Sequence, residues 1–118
     1  MGLRDFAKLA TIIAPFVSPA VMAQVDTWAM KAPIPTSRVF HATCAVAGQI
    51  YVFGGQRMGG GAGITSVEAY DPATDSWSAR ADMPTARLGM TAGVVNDKCY
   101  VIGGASAPGG AGLSRIDE

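Results

Sequence analysis

The chain repeats itself. Residues 26–69 laid over residues 75–118 align without a gap at a constant offset of 49, and 15 of the 44 pairs are identical. The identities include Asp26/Asp75, Trp28/Trp77, Pro35/Pro84, Thr36/Thr85, Arg38/Arg87 and Tyr51/Tyr100. They also include the double glycines Gly54/Gly103 and Gly55/Gly104. Lys31/Arg80, Phe53/Ile102, Ile64/Leu113, Val67/Ile116 and Glu68/Asp117 are conservative. A glycine loop built once to cradle a phosphate needs no second copy in register. A structural unit that stacks on its neighbours does. The glycines are therefore read as architecture, and no helix follows them to complete a nucleotide fingerprint.

Each unit predicts four short strands. Residues 41–47 are small and apolar, and residues 49–53 are β-branched and aromatic. Ala47-Gly48 between them makes a tight turn, and Asn96-Asp97 fills the same place in the second copy. Glycine, asparagine and aspartate all tolerate the positive φ of such hairpins. Residues 65–70 alternate as a third strand, residues 71–75 (Asp-Pro-Ala-Thr-Asp) turn, and a fourth strand starts at Ser76. Four antiparallel strands in about 50 residues is the content of one β-propeller blade. The fold class expected is all-β, made of blades of this kind in a partial propeller.

The pattern resembles a kelch repeat. The residues that carry the resemblance are Met83-Pro84 with Arg87, the run Ile50-Tyr51-Val52-Phe53-Gly54-Gly55, the run Val67-Glu68-Ala69-Tyr70-Asp71-Pro72, and Trp77. They cover nearly everything after Val25. Cys99 departs from the pattern, standing where an aliphatic residue is usual before Tyr100. On this reading residues 24–118 form the repeat region. Residues 26–30 would be the outer strand of a preceding blade, residues 40–80 one blade, and residues 89–118 a blade without its outer strand. Kelch propellers close with several blades, and one blade cannot bury both its faces. The chain is thus expected to be a piece of a longer protein or to need further blades from copies of itself. Gly54, Gly55, Gly103 and Gly104 are expected to let strand ends turn and blades approach. Tyr51, Tyr70, Tyr100, Trp28 and Trp77 are expected to pack between blades.

The first 23 residues differ in character. Arg4 and Lys8 precede a mostly apolar run over residues 9–22, and Val21-Met22-Ala23 offers small residues at a cleavage spacing. This predicts a signal peptide cut after Ala23, and hence a secreted or periplasmic protein. Pro15 and Pro19 oppose a regular membrane-spanning helix. Formal charge is +0, with 9 basic and 9 acidic residues and no basic run, which argues against a nucleic-acid partner.

Alternating strand direction puts the second-to-third loop and the blade-to-blade connector on one rim. Thr36, Arg38, Thr85 and Arg87 are thereby expected beside Gln56 and Arg57 as a ligand-binding rim. Arginines with hydroxyls suit carboxylates or sugar hydroxyls. The repetition of Arg38 and Arg87 equally suits bonding to carbonyls of a neighbouring blade. His41, the single histidine, aligns with Met90 and reads as a packed or rim residue. No cofactor, metal site or catalytic set is expected. Cys44 and Cys99 occupy different repeat positions and different blades. They are expected as buried free thiols, with pairing left open.

The function expected is a protein- or glycan-binding scaffold, which weighs against an enzyme. The resemblance also leaves a second reading. The chain would then be part of a secreted kelch-propeller carbohydrate-active enzyme, like sialic-acid mutarotases or galactose oxidases.

Overall fold

The computed structural model describes residues 26–118. Among the described residues, 26–30 fall in one unit and Lys31–Glu118 form a second, compact one. The signal-peptide reading of residues 1–23 lies outside the described residues. Within the first unit, residues 26–30 carry no strand, and Trp28 is fully exposed. The outer strand and the packed Trp28 expected for this stretch are not formed within this chain. A strand exists only as a ladder with another, and no strand is assigned over residues 26–30.

The second unit is all-β, as the repeat predicts. Its first blade is a four-stranded antiparallel sheet of β2 (Ala42–Val46), β3 (Gln49–Phe53), β5 (Val67–Asp71) and β6 (Ser76–Arg80), paired in that order. The second blade holds β7 (Thr91–Val95), β8 (Lys98–Ile102) and β9 (Ile116–Asp117). Two further short strands, β1 (Arg38–Val39) and β4 (Gln56–Arg57), pair with each other. The hairpin turns fall where the sequence places them. Ala47 and Gly48 have φ of 52° and 74°, and Asn96 and Asp97 have 50° and 60°. Both central residues are left-handed, which matches the twist of the flanking strands.

Register decides which side chains meet. Ala42, Phe53 and Val67 sit opposite one another across β2, β3 and β5, as do Cys44, Tyr51 and Ala69. These residues share one face of the first blade, and the second blade covers it. Ala42, Val67, Met83, Met90 and Val101 form the buried cluster, with Tyr51, Phe53 and Ala92 packed against it. The core is therefore the seam between blades. On the other face, Tyr70 packs against Trp77 with ring centroids 5.1 Å apart, and its hydroxyl donates to Asp75. The connector reaches this outer corner, where Trp77 Nε1 donates to the Ala32 carbonyl and Ala32 N–H donates to Asp75. The Ala32 amide and the Tyr70 hydroxyl hold the Asp75 carboxyl below its ordinary pKa, the amide first. The same carboxylate raises the Tyr70 phenol.

The cysteines overturn the free-thiol expectation. Cys44 and Cys99 form a disulfide across the seam, with Cα atoms 6.3 Å apart. Two-residue alternation explains it. Cys44 on β2 points at the second blade, and Cys99 on β8 points back, opposite Val94. Their different repeat positions are what lets them meet, since facing sides of successive blades carry different residues. The bridge spans 55 residues, and its loss is expected to cost about 2–4 kcal/mol. Thermal melts with and without reductant, and of the Cys44→Ala/Cys99→Ala variant, should both show the drop. Equal melting temperatures would mean that the bridge does not form.

Candidate functional site

The rim is built by pairing between connector and loop. β1 and β4 run antiparallel, with Arg38 opposite Arg57 and Val39 opposite Gln56. The first glycine loop then returns, with Gln56 bridging to Gly63 and Ile64 to Arg87. Gly63 N–H donates to Ser106 O at 2.8 Å, tying the loops of the two blades together. The expected neighbours are therefore on one rim, but they differ in availability.

Arg38 and Arg87 point inward. Both side chains have no exposed surface. Arg38 Nε donates to Thr36 O, Nη1 to Gly54 O and Ser66 O, and Nη2 to Ser66 Oγ and, at 2.6 Å, to Glu68 Oε2. Arg87 repeats the arrangement on the carbonyls of Gly103 and Arg115 and the carboxylate of Asp117. Each arginine thus clasps its own blade, not a neighbouring one. It closes the strand end after the double glycine onto the third strand. Glu68 and Asp117 were readable in the sequence as acidic partners. They exchange conservatively at the same offset as the arginines. What was not readable is that both pairs are turned into the sheet.

The other predicted rim residues divide as follows. Thr36 is half-buried, and its hydroxyl donates to Glu68 Oε1 at 3.2 Å. Gln56 is buried, with its amide given to the Gly61 carbonyl. Thr85 is half-buried beside the second clasp. Arg57 is exposed, at the root of a loop in which Met58 is 66% exposed. Phe40 and His41 are also exposed at the start of the inner strand. Phe40 has φ of 55°, and its carbonyl accepts Gly89 N–H from the second connector. Its repeat partner Gly89 has the same left-handed geometry, at 67°. A rim available to a partner therefore consists of Arg57, the glycine loops, Phe40 and His41.

A second concavity, of about 450 Å³, lies on the seam between blades. Tyr51, Phe53 and Val67 floor it, and Arg80, Lys98 and Glu118 edge it. The Arg80 guanidinium lies 5.9 Å from the Tyr51 ring centre. Glu118 pairs with Lys98 and accepts from Tyr100. The Lys98 contact holds Glu118 below its ordinary pKa and raises Lys98 in turn.

A four-stranded antiparallel blade, followed at the repeat offset by a three-stranded one clasped by the same inward arginine, has the content of β-propeller repeats. Residues 37–84 match the family model described as the Kelch motif, and this stretch is a kelch repeat. Among solved structures, the chain is similar to one titled "Structure of YjhT", at 30% identity and a TM-score of 0.64. That match covers 70% of this chain and 26% of the other, so the chain spans about a quarter of that protein's length. No curated protein matches the chain.

Proposed function

We propose that the chain is a binding or scaffolding module of kelch-propeller type. Its partner is a protein or a glycan, held on the rim that β1 and β4 build. The observation that carries this reading is the division of labour between facing arginines. Arg38 is locked inside the sheet, whereas Arg57, its partner across the β1–β4 ladder, is exposed. An exposed guanidinium presents several donors in a fixed plane and suits carboxylates or sugar hydroxyls. The glycine loop beside it adds backbone donors and acceptors that no side chain covers.

The compartment belongs to the same proposal. A disulfide between blades fits an oxidising environment. It supports the secreted or periplasmic location that the leader predicts. A closed disc carrying the rim takes several blades, and these are proposed to come from further sequence or from copies of the chain.

The test is a paired one. The wild-type chain and Arg57→Ala are applied to an array of acidic peptides and sialylated or uronic-acid glycans. Binding by the wild type is expected to fall at least tenfold in Arg57→Ala. The melting temperature should stay unchanged, because the residue is exposed. Retained binding in the variant would move the site away from this rim.

A further inference from the structure

The first glycine loop holds a basic residue where the backbone can leave the fold. Arg57 ends β4 with its side chain exposed, and Met58 after it is 66% exposed. Gly59, Gly60 and Gly61 follow, and a Cβ built on any of them would meet nothing within 4 Å. Outside the short β1–β4 ladder, the Arg57 carbonyl is held by a turn bond from Gly60 N–H at 3.2 Å. Among the described residues, the other basic positions lack this freedom. Arg38 and Arg87 are buried. Arg80 and Lys98 lie in ladders, opposite Val67 and Val95. The Arg115 carbonyl accepts from Gly103 N–H and from the Arg87 side chain. After Lys31, Ala32 is pinned by its N–H to Asp75 and its carbonyl to Trp77. Exposed loop tips with small residues are where folded chains are nicked.

The parts on either side of this loop are tied to each other in three ways. The part ending at Arg57 holds β2 and β3 of the first blade, and the part beginning at Met58 holds β5 and β6. The β3–β5 ladder joins them, from Ile50 opposite Tyr70 to Phe53 opposite Val67. The Arg38 side chain crosses the same division to the Ser66 carbonyl and the Glu68 carboxylate. The Cys44–Cys99 disulfide crosses it covalently. A break in the loop would therefore leave one sheet, one buried ion pair and one covalent bond holding the parts together.

We infer that the Arg57–Met58 bond is a processing site for an endopeptidase that cleaves after arginine, and that its product is a disulfide-linked, two-chain form of the same fold. An exposed guanidinium is what a specificity pocket floored by a carboxylate takes. In the step, water adds across the amide. The C–N bond breaks, Arg57 gains a carboxylate, and Met58 gains an ammonium. The disulfide is neither oxidised nor reduced. Reaching the bond costs the Gly60–Arg57 turn bond, the Gln56–Gly61 bond and the two-residue ladder, whereas the four-stranded sheet stays closed. Local opening of this kind lies far below global unfolding in cost. The site is independent of what the rim binds.

The test uses trypsin as the probe on the full chain under native conditions. Denaturing gels with and without reductant, and the masses of the pieces, follow the digestion. The first cut within residues 26–118 is expected after Arg57. Without reductant the product should run as one covalent species. With reductant it should split into a piece ending at Arg57 and a piece beginning at Met58. Circular dichroism of the cut, unreduced chain should keep its β signal. Arg57→Gln should slow the first cut in this region about tenfold, because cleavage must then wait for rarer openings elsewhere. A first cut after Lys31, Arg80, Lys98 or Arg115, or cutting at all of them at one rate, would overturn the site. Pieces that separate without reductant would overturn the covalent tie. A β signal lost with the first cut would show that the ladder and the Arg38 clasp do not hold the parts, and that the cut destroys the fold.

Discussion

Replacing Arg38 with alanine is expected to destabilise the chain by about 3–5 kcal/mol, the usual cost of breaking a buried ion pair from one side. The guanidinium has no exposed surface, and its Glu68 partner is 10% exposed. Alanine would leave that carboxylate buried without its cation. The carbonyls of Gly54 and Ser66, which accept from Arg38 at 3.0 and 2.9 Å, would lose those donors. Small domains are stable by only about 5–15 kcal/mol, so the first blade would stand near its limit. Lysine should rescue little. It is a point charge, and it cannot reach two carbonyls and a carboxylate in one plane. Urea titration of the wild type, Arg38→Ala and Arg38→Lys gives the numbers. A second arm tests the mechanism. Arg38→Met combined with Glu68→Leu removes both charges and keeps volume, and it should recover a good part of the loss. A cost below about 1 kcal/mol for Arg38→Ala would mean that the clasp is ornamental.

The repeat explains how much could be read before any coordinates. Tyr51 and Tyr100, the double glycines and the paired turns share one offset, so strand number, order and turn position follow from alignment alone. β3 begins and ends where its β-branched and aromatic run does, at Gln49 and Phe53. The structure does set Arg38 beside Arg57, with Gln56 next to them, because strand direction alternates regardless of side chains. Availability on that rim was not legible. Arg38 and Arg57 have the same chemistry and face each other across the β1–β4 ladder, and nothing in the sequence says which one is buried. The disulfide was hidden for a related reason. A search by repeat position treats Cys44 and Cys99 as unrelated, although they face each other across a seam. The same logic applies to residues 26–30. They match the outer-strand sequence of residues 75–79, yet sequence alone provides no ladder for them.

Gly54→Val is expected to cost about 4 kcal/mol, whereas Gly103→Val should cost only about 1–2. Both glycines are left-handed, with φ of 54° and 68°, so a β-branched residue meets backbone strain of roughly 1–3 kcal/mol at either position. The two differ in their surroundings. At Gly54 a Cβ would lie 2.6 Å from the terminal carbons of Met83 and Met90, and 2.7 Å from the Arg87 carbonyl. The methionine ends can swing aside, but the carbonyl cannot. It accepts Gly55 N–H at 2.8 Å, and it belongs to the connector that seats the second blade. Overpacking of this kind adds roughly 1–3 kcal/mol. The seam between blades should therefore open before the first blade itself unfolds. Near-ultraviolet circular dichroism, sensitive to Tyr51 at the seam, should change at lower denaturant than the far-ultraviolet β signal. In Gly103→Val the two signals should move together. Equal costs for the two variants would show that φ alone sets the requirement for glycine. The approach of the next blade would then contribute nothing.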